Sequence, residues 1–208
     1  MNTERIRVSG IGLCRIRHPH KARYLLGLNR NRLSNGQHIL MALGGSFHIH
    51  NPERIRAWDA QLETPNLMEM RFSVPSDKLA SVRIWFQSRK ERELDSYREL
   101  QEELVSEYNV LVSLARSDLT LTLVSQVERE RLTGRHGATG QLTHYFLEVF
   151  DVRFSPHIEQ TLLQLDNAPV DERMLYWVSE AEIAARHLRI VGNTGKNILV
   201  DADVILNP

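Results

Sequence analysis

Apolar positions along this chain fall mostly in short runs or alternate with polar ones, and only three or four segments repeat at helical spacing. Ile6 to Ile16 is apolar and β-leaning, His18-Pro19-His20-Lys21 makes a turn, and Arg23 to Leu28 returns as a second strand, so the two predict a hairpin. A polar loop, Asn29 to Gln37, precedes a third strand from His38 to Leu43 that is expected to stop at Gly44-Gly45. A less regular region follows to about Pro65, then a strand over Leu67 to Val74. Ser76 is the expected N-cap of a helix from Asp77 to Gln87, with Leu79, Val82, Trp85 and Phe86 as its apolar face. Leu119 to Val124 alternates cleanly and reads as a strand, as does Gln141 to Phe154, and the glycine-containing stretch Glu130 to Gly140 reads as a loop. Ser155-Pro156 opens a short helix through Leu165, and Met174 to Val178 is a strand. Ser179 with Glu182 forms a capping box for a last helix to about His187, and Ile198 to Ile205 is a final β-like segment. Helices interrupt the strands irregularly, which predicts α+β or an α/β/α sandwich on a mixed sheet, not a doubly wound parallel one.

The charged run from Glu91 to Tyr108 predicts a helix. At 100° per residue Leu94, Tyr97, Leu100, Leu104 and Tyr108 form one stripe, while Glu99, Glu102 and Glu103 gather on the other side. Like charges at such spacing destabilise a helix, so a positive partner is expected among them, and a hard divalent cation suits oxygen ligands. The alternative is a solvated face of Glu and Arg.

The 208 residues suggest one domain, and a formal net charge of zero with a pI near 7.1 leaves no broad basic surface for a nucleic-acid complex. The lone Cys14 excludes an intrachain disulfide and is expected to be a buried small hydrophobe. No apolar h-region opens the chain and no uninterrupted apolar run approaches ~18 residues, so a cytoplasmic protein with no membrane partner is expected.

Hairpin, Gly-Gly, an Arg-Glu-x-x-Glu-Glu helix, long strands with a glycine loop, and Trp177-Val178-Ser179 before a short helix together resemble the Nudix hydrolase superfamily. Gly45 stands as the opening glycine of the Nudix box, and Arg98-Glu99-Leu100-Gln101-Glu102-Glu103 matches its core without a gap. In this chain 52 residues separate Gly45 from Arg98. Lys90 occupies the place of an earlier Glu of the box, with Glu91 one step off, and Val105-Ser106 replaces the closing glycine and aliphatic residue. The long insertion, residues 46–90 within a single domain spanning 1–208, is similar to that of the SMODS-associated NUDIX domains of bacterial anti-phage defence loci. The resemblance implies Mg²⁺- or Mn²⁺-dependent cleavage of a diphosphate linkage in a small nucleotide: ADP-ribose-like, NAD-like or an NTP. It implies Glu99, Glu102 and Glu103 as metal ligands with a main-chain carbonyl near Gly44 or Gly45, and Arg98, expected beside Glu91 two turns apart on the helix, as a residue that orients a carboxylate and does not touch substrate.

The general base is open between Glu148 and the residues of the 130–140 loop, with His136 a possible phosphate contact. Glu148 can equally be a carboxylate paired with an arginine. His48 and His50 share a strand face but lack a third ligand, Phe47 fits either a core or a base-stacking role, and Trp85 with Phe86 reads as a packing face. Val191-Gly-Asn-Thr-Gly-Lys196 has too few residues between its glycines for a Walker loop and reads as a turn. Two functions remain: a metal-dependent hydrolase, or a nucleotide-binding sensor with a degenerate box. With either, the insertion could cover substrate or form a homodimer surface.

Overall fold

The computed structural model describes residues 4–206 apart from 136, 168, 170–172 and 190–196. His136 and the turn expected over Val191–Lys196 therefore lie outside the described residues. In chain order the strands and helices are β1 (Arg5–Ile16), β2 (Arg23–Leu28), α1 (Arg30–Leu33), β3 (Ile39–Ser46), α2 (Pro52–Ala57), β4 (Gln61–Leu62), β5 (Arg71–Pro75), α3 (Leu79–Ser88), α4 (Tyr97–Gln101), β6 (Leu119–Leu132), β7 (Leu142–Phe154), α5 (Pro156–Leu163), β8 (Leu175–Ser179), α6 (Glu180–Ala185), β9 (His187–Arg189) and β10 (Asn197–Asp201). The fold is α+β and its sheet pairing is mostly antiparallel. No helix among the described residues is long and apolar enough to cross a membrane.

The chain divides into two compact units, each assembled from three separate stretches. The first comprises residues 1–12, 45–96 and 125–148. In it Arg5 to Ser9 of β1 pair antiparallel with β5, and β5 pairs in turn with β4. Phe47, Trp58, Phe72, Trp85, Phe86 and Phe146 are buried at its centre, with Trp58 edge-on to Trp85 at 4.9 Å between ring centroids. Trp85 and Phe86 are thus the packing face of α3, as the helical spacing predicts. Phe47 takes a core role, and His50 is exposed while the His48 amide donates to Glu93 at 2.8 Å. Residues 46–90 supply most of these aromatics, so the expected insertion is structural material of this unit.

The second unit comprises residues 13–44, 97–124 and 149–208. Its strand order is β8-β2-β3-β10-β9, with β10 parallel to β3 and the other neighbours antiparallel. Cys14 is fully buried there beside Ile16, Leu25, Leu100, Leu104, Leu162 and Trp177. Ser179 caps α6 through the reciprocal bonds with Glu182 that the capping box predicts.

Several boundaries differ from the sequence expectation. β3 continues through both glycines to Ser46. β6 runs 14 residues, from Leu119 to Leu132, because its alternation of shielded and exposed positions survives the charged half of the strand. The Ser76 turn is a 3₁₀ segment, and α3 begins at Leu79 without a side-chain cap. The largest difference concerns the run from Glu91. Arg89 and Glu91 both adopt left-handed backbone angles (φ 54° and 59°), which end α3 and keep a new helix from starting. The next helix begins only at Tyr97, so Leu94 is exposed and forms no part of the apolar stripe.

Candidate functional site

The carboxylate helix is short and changes its winding. α4 covers Tyr97–Gln101, and Glu102–Glu107 continues as a π-helix whose closing bond runs from the Tyr108 amide to the Glu103 carbonyl, 2.8 Å. Leu100 and Leu104 are completely buried in the core of the second unit and seat the segment. Its ends are tied as well. The Tyr97 hydroxyl and the Gln101 amide both donate to the Leu114 carbonyl, and the Tyr108 hydroxyl donates to that of Leu28 at 3.1 Å. Tyr108 lies so close over Gly27 that a Cβ there would stand 2.4 Å from its oxygen. Burial, then the charges of Glu103 and Glu107, push the Tyr108 phenol far up and keep it protonated.

Closing on i+5 instead of i+4 places more residues in each turn, so side chains four apart come closer to one line. Glu103 and Glu107 stand in that relation. Glu107 was left out of the sequence reading although an α-helical projection already sets it about 40° from Glu103, as far as Glu99 on the other side. The available signal was its Glu-x-x-x-Glu spacing.

Glu103 is the centre of the cluster. Its Oε2 accepts the Gly44 amide at 2.7 Å, and its Oε1 has no hydrogen bond among the described residues. Gly44 offers that N–H at φ 125°, a backbone angle open to glycine and strained for any other residue. Burial raises the Glu103 carboxyl well above its ordinary value of 4.5. The Gly44 bond opposes this, and the charges of Glu99, Glu107 and Glu102 add to the rise. Arg98 joins Glu99 at 2.6 Å and Glu102 at 3.5 Å. Arg98 therefore orients carboxylates on its own helix and not Glu91, which is held by Arg54 and Asn51 in the first unit.

Two expected site residues belong to the first unit. Gly45 is one, and within the second unit the glycine turn contributes the Gly44 amide, a donor, where a carbonyl ligand was expected. Glu148 is the other. It is fully buried and bonded to Arg92 at 2.6 and 3.3 Å and to Gln126 at 2.8 Å, with Arg89 at 3.4 Å. A carboxylate enclosed and neutralised in this way has no open side for a proton transfer. Glu148 is thus a buried carboxylate paired with arginines, the alternative that its sequence position leaves open. Arg92 itself lies over the rings of Phe86 and Phe47, at 4.2 and 4.7 Å.

The family model of the SMODS-associated NUDIX domain matches residues 5–206. The chain belongs to this family. No curated protein matches it at a significant level.

NUDIX domains generally use divalent metals, and the donors present fit one by their chemistry. They are hard oxygens, and Glu103 combines an unbonded oxygen with a charge that burial and three neighbouring carboxylates all disfavour. The gathering is incomplete, since no three acidic, His or Cys side chains converge as a ready ligand group among the described residues. In this NUDIX domain Glu99 is paired with Arg98, so a cation would compete with that arginine, whereas the Gly44 bond to Oε2 fixes the Glu103 carboxylate and leaves Oε1 open.

Proposed function

We propose that this NUDIX domain binds Mg²⁺ or Mn²⁺ on Glu99, Glu102, Glu103 and Glu107 and hydrolyses a diphosphate linkage in a small nucleotide. A place in cytoplasmic anti-phage defence goes with that reading. The observation that carries it is the Glu103 carboxylate, partly buried among three others and held by the Gly44 amide. Such an arrangement is unfavourable unless a cation completes it. A bound divalent ion would neutralise phosphate charge and make water a stronger nucleophile. The chain's own part is to hold the carboxylates in place: Leu100 and Leu104 anchor the helix, Glu107 follows Glu103 one turn on, and Arg98 orients Glu99 and Glu102.

A second reading is a nucleotide sensor without turnover. It is favoured by the Arg98–Glu99 pair, which already neutralises one expected ligand, and by Lys90 in place of the box glutamate. One experiment separates the two. ADP-ribose, NAD, dinucleoside polyphosphates and NTPs are incubated with the protein and Mg²⁺, and products are followed by chromatography. Hydrolysis of one of them that Glu103→Gln abolishes, with the fold intact by circular dichroism, supports the enzyme. Thermal stabilisation by a nucleotide with no product supports the sensor. Undiminished turnover in Glu103→Gln would sink the metal assignment.

A further inference from the structure

Arg15, Arg17, Asp151 and Arg153 surround an open cleft of about 350 Å³ in the second unit. β1 neighbours β7, and alternate residues of a strand share a face, which places Arg15 with Arg17 and Asp151 with Arg153. Arg15 is nearly buried and grips Asp151 with two bonds, 2.5 and 3.0 Å, while its third nitrogen reaches the Ile205 carbonyl at 3.4 Å. This pair is internally neutral. The Arg15 bond, with further help from Arg17 and Arg153, holds the Asp151 carboxyl below its usual range. Arg17 and Arg153 are exposed and make no ion pair among the described residues. Against them the lining sets only Glu159, so the cleft keeps a surplus of positive charge. The remaining walls are apolar: Ile16, Val152, Phe154, Leu162, Trp177 and Pro19.

A concave site of this size that combines apolar walls with charged groups can hold a small ligand. Two guanidinium groups without carboxylate partners favour a phosphate, which they can hold bidentately. We propose that the cleft binds a phosphate monoester carrying an apolar or aromatic body, with nucleoside monophosphates as the fitting class. Arg17 and Arg153 hold the phosphate, and the walls formed by Phe154, Pro19 and Trp177 face the body. The buried Arg15–Asp151 pair forms a rigid floor that keeps the Asp151 charge from repelling the ligand. The assignment is independent of the carboxylate helix, because none of Glu99, Glu102, Glu103 or Glu107 lines the cleft.

Isothermal titration calorimetry with AMP, adenosine and inorganic phosphate tests this, on the full chain in EDTA so that no divalent cation contributes. The expected result is binding of AMP, weaker binding of phosphate and none of adenosine. Arg17→Ala/Arg153→Ala should weaken AMP binding by roughly tenfold or more, and the lysine pair should recover part of it. Both side chains are exposed, so circular dichroism should report an unchanged fold. Glu103→Gln serves as control and should bind AMP as the wild type does. The proposal is overturned if AMP does not bind, if adenosine binds as well as AMP, or if the arginine variant keeps wild-type affinity. Loss of AMP binding in Glu103→Gln would move the ligand to the carboxylate site instead. If phosphate binds as tightly as AMP, the apolar walls contribute nothing and the organic part of the ligand class is withdrawn.

Discussion

Glu103 sets the chemistry of the second unit through one charge in an unfavourable place. Its folded carboxyl value is raised above the ordinary 4.5, first by burial and then by neighbouring carboxylates. A group raised on folding contributes its full stability below the unfolded value and loses it as pH climbs through the folded one. The metal-free protein should therefore lose thermal stability as pH rises above about 4.5, and Glu103→Gln should flatten that decline. Mg²⁺ should restore stability at neutral pH in the wild type and leave the variant unmoved. Melting curves across pH, with EDTA or Mg²⁺, read all three effects. Gly44 bears the other residue-scale prediction. Gly44→Ala places a Cβ at φ 125° and should cost about 1–3 kcal/mol in urea unfolding. The same change turns the amide away from Glu103, so cation affinity should fall with it.

Among the elements, the π segment Glu102–Glu107 is the one whose backbone departs from its sequence pattern. π turns occur mostly as single insertions and often at functional sites. Deleting the exposed Ser106 should return the segment to α-helical winding, keep Leu100 and Leu104 seated, and move Glu107 out of line with Glu103. The expected outcome is a folded protein with a roughly tenfold loss of Mn²⁺ affinity, read by electron paramagnetic resonance. Strand β7 carries a different kind of dependence. Glu148 is buried against Arg92, and breaking such a pair from one side strands a charge in the interior. Arg92→Met should therefore destabilise by about 3–5 kcal/mol, whereas Arg92→Met with Glu148→Leu should recover most of that loss. Chemical denaturation of the single and double variants checks the coupling.

At the scale of the whole molecule, residues 46–90 read in sequence as an elaboration that could be trimmed to test dimerisation. The first unit depends on them. Trp58, Phe72, Trp85 and Phe86 all come from that stretch and are all buried, and truncating one such aromatic costs about 3–5 kcal/mol. Removing 46–90 should abolish the cooperative unfolding of this unit in chemical denaturation, not merely shift an elution volume. Surface changes on the stretch, such as Ile84→Lys at a largely exposed position of α3, are the sounder probe of association. An unchanged elution state there counts against a dimer surface on that helix.

By itself the sequence determined most strand segments, the packing face of α3, the capped helix α6 and the carboxylate-rich helix, but not strand partners: the hairpin expected of β1 and β2 gives way to pairing of β2 with β3 and β8. Each is written in local periodicity or a local cap, where neighbours along the chain decide the outcome. The buried Cys14 and the core seats of Leu100 and Leu104 were legible for the same reason. Tertiary structure decided what local pattern cannot carry. The left-handed turns at Arg89 and Glu91 shortened the helix, and tight seating against Leu28 and Leu114 accompanies its change to π winding. A partner 56 residues away in sequence claimed Glu148 for the interior. Charge at a site depends on which side chains meet across the fold, and periodicity along one segment holds no record of that.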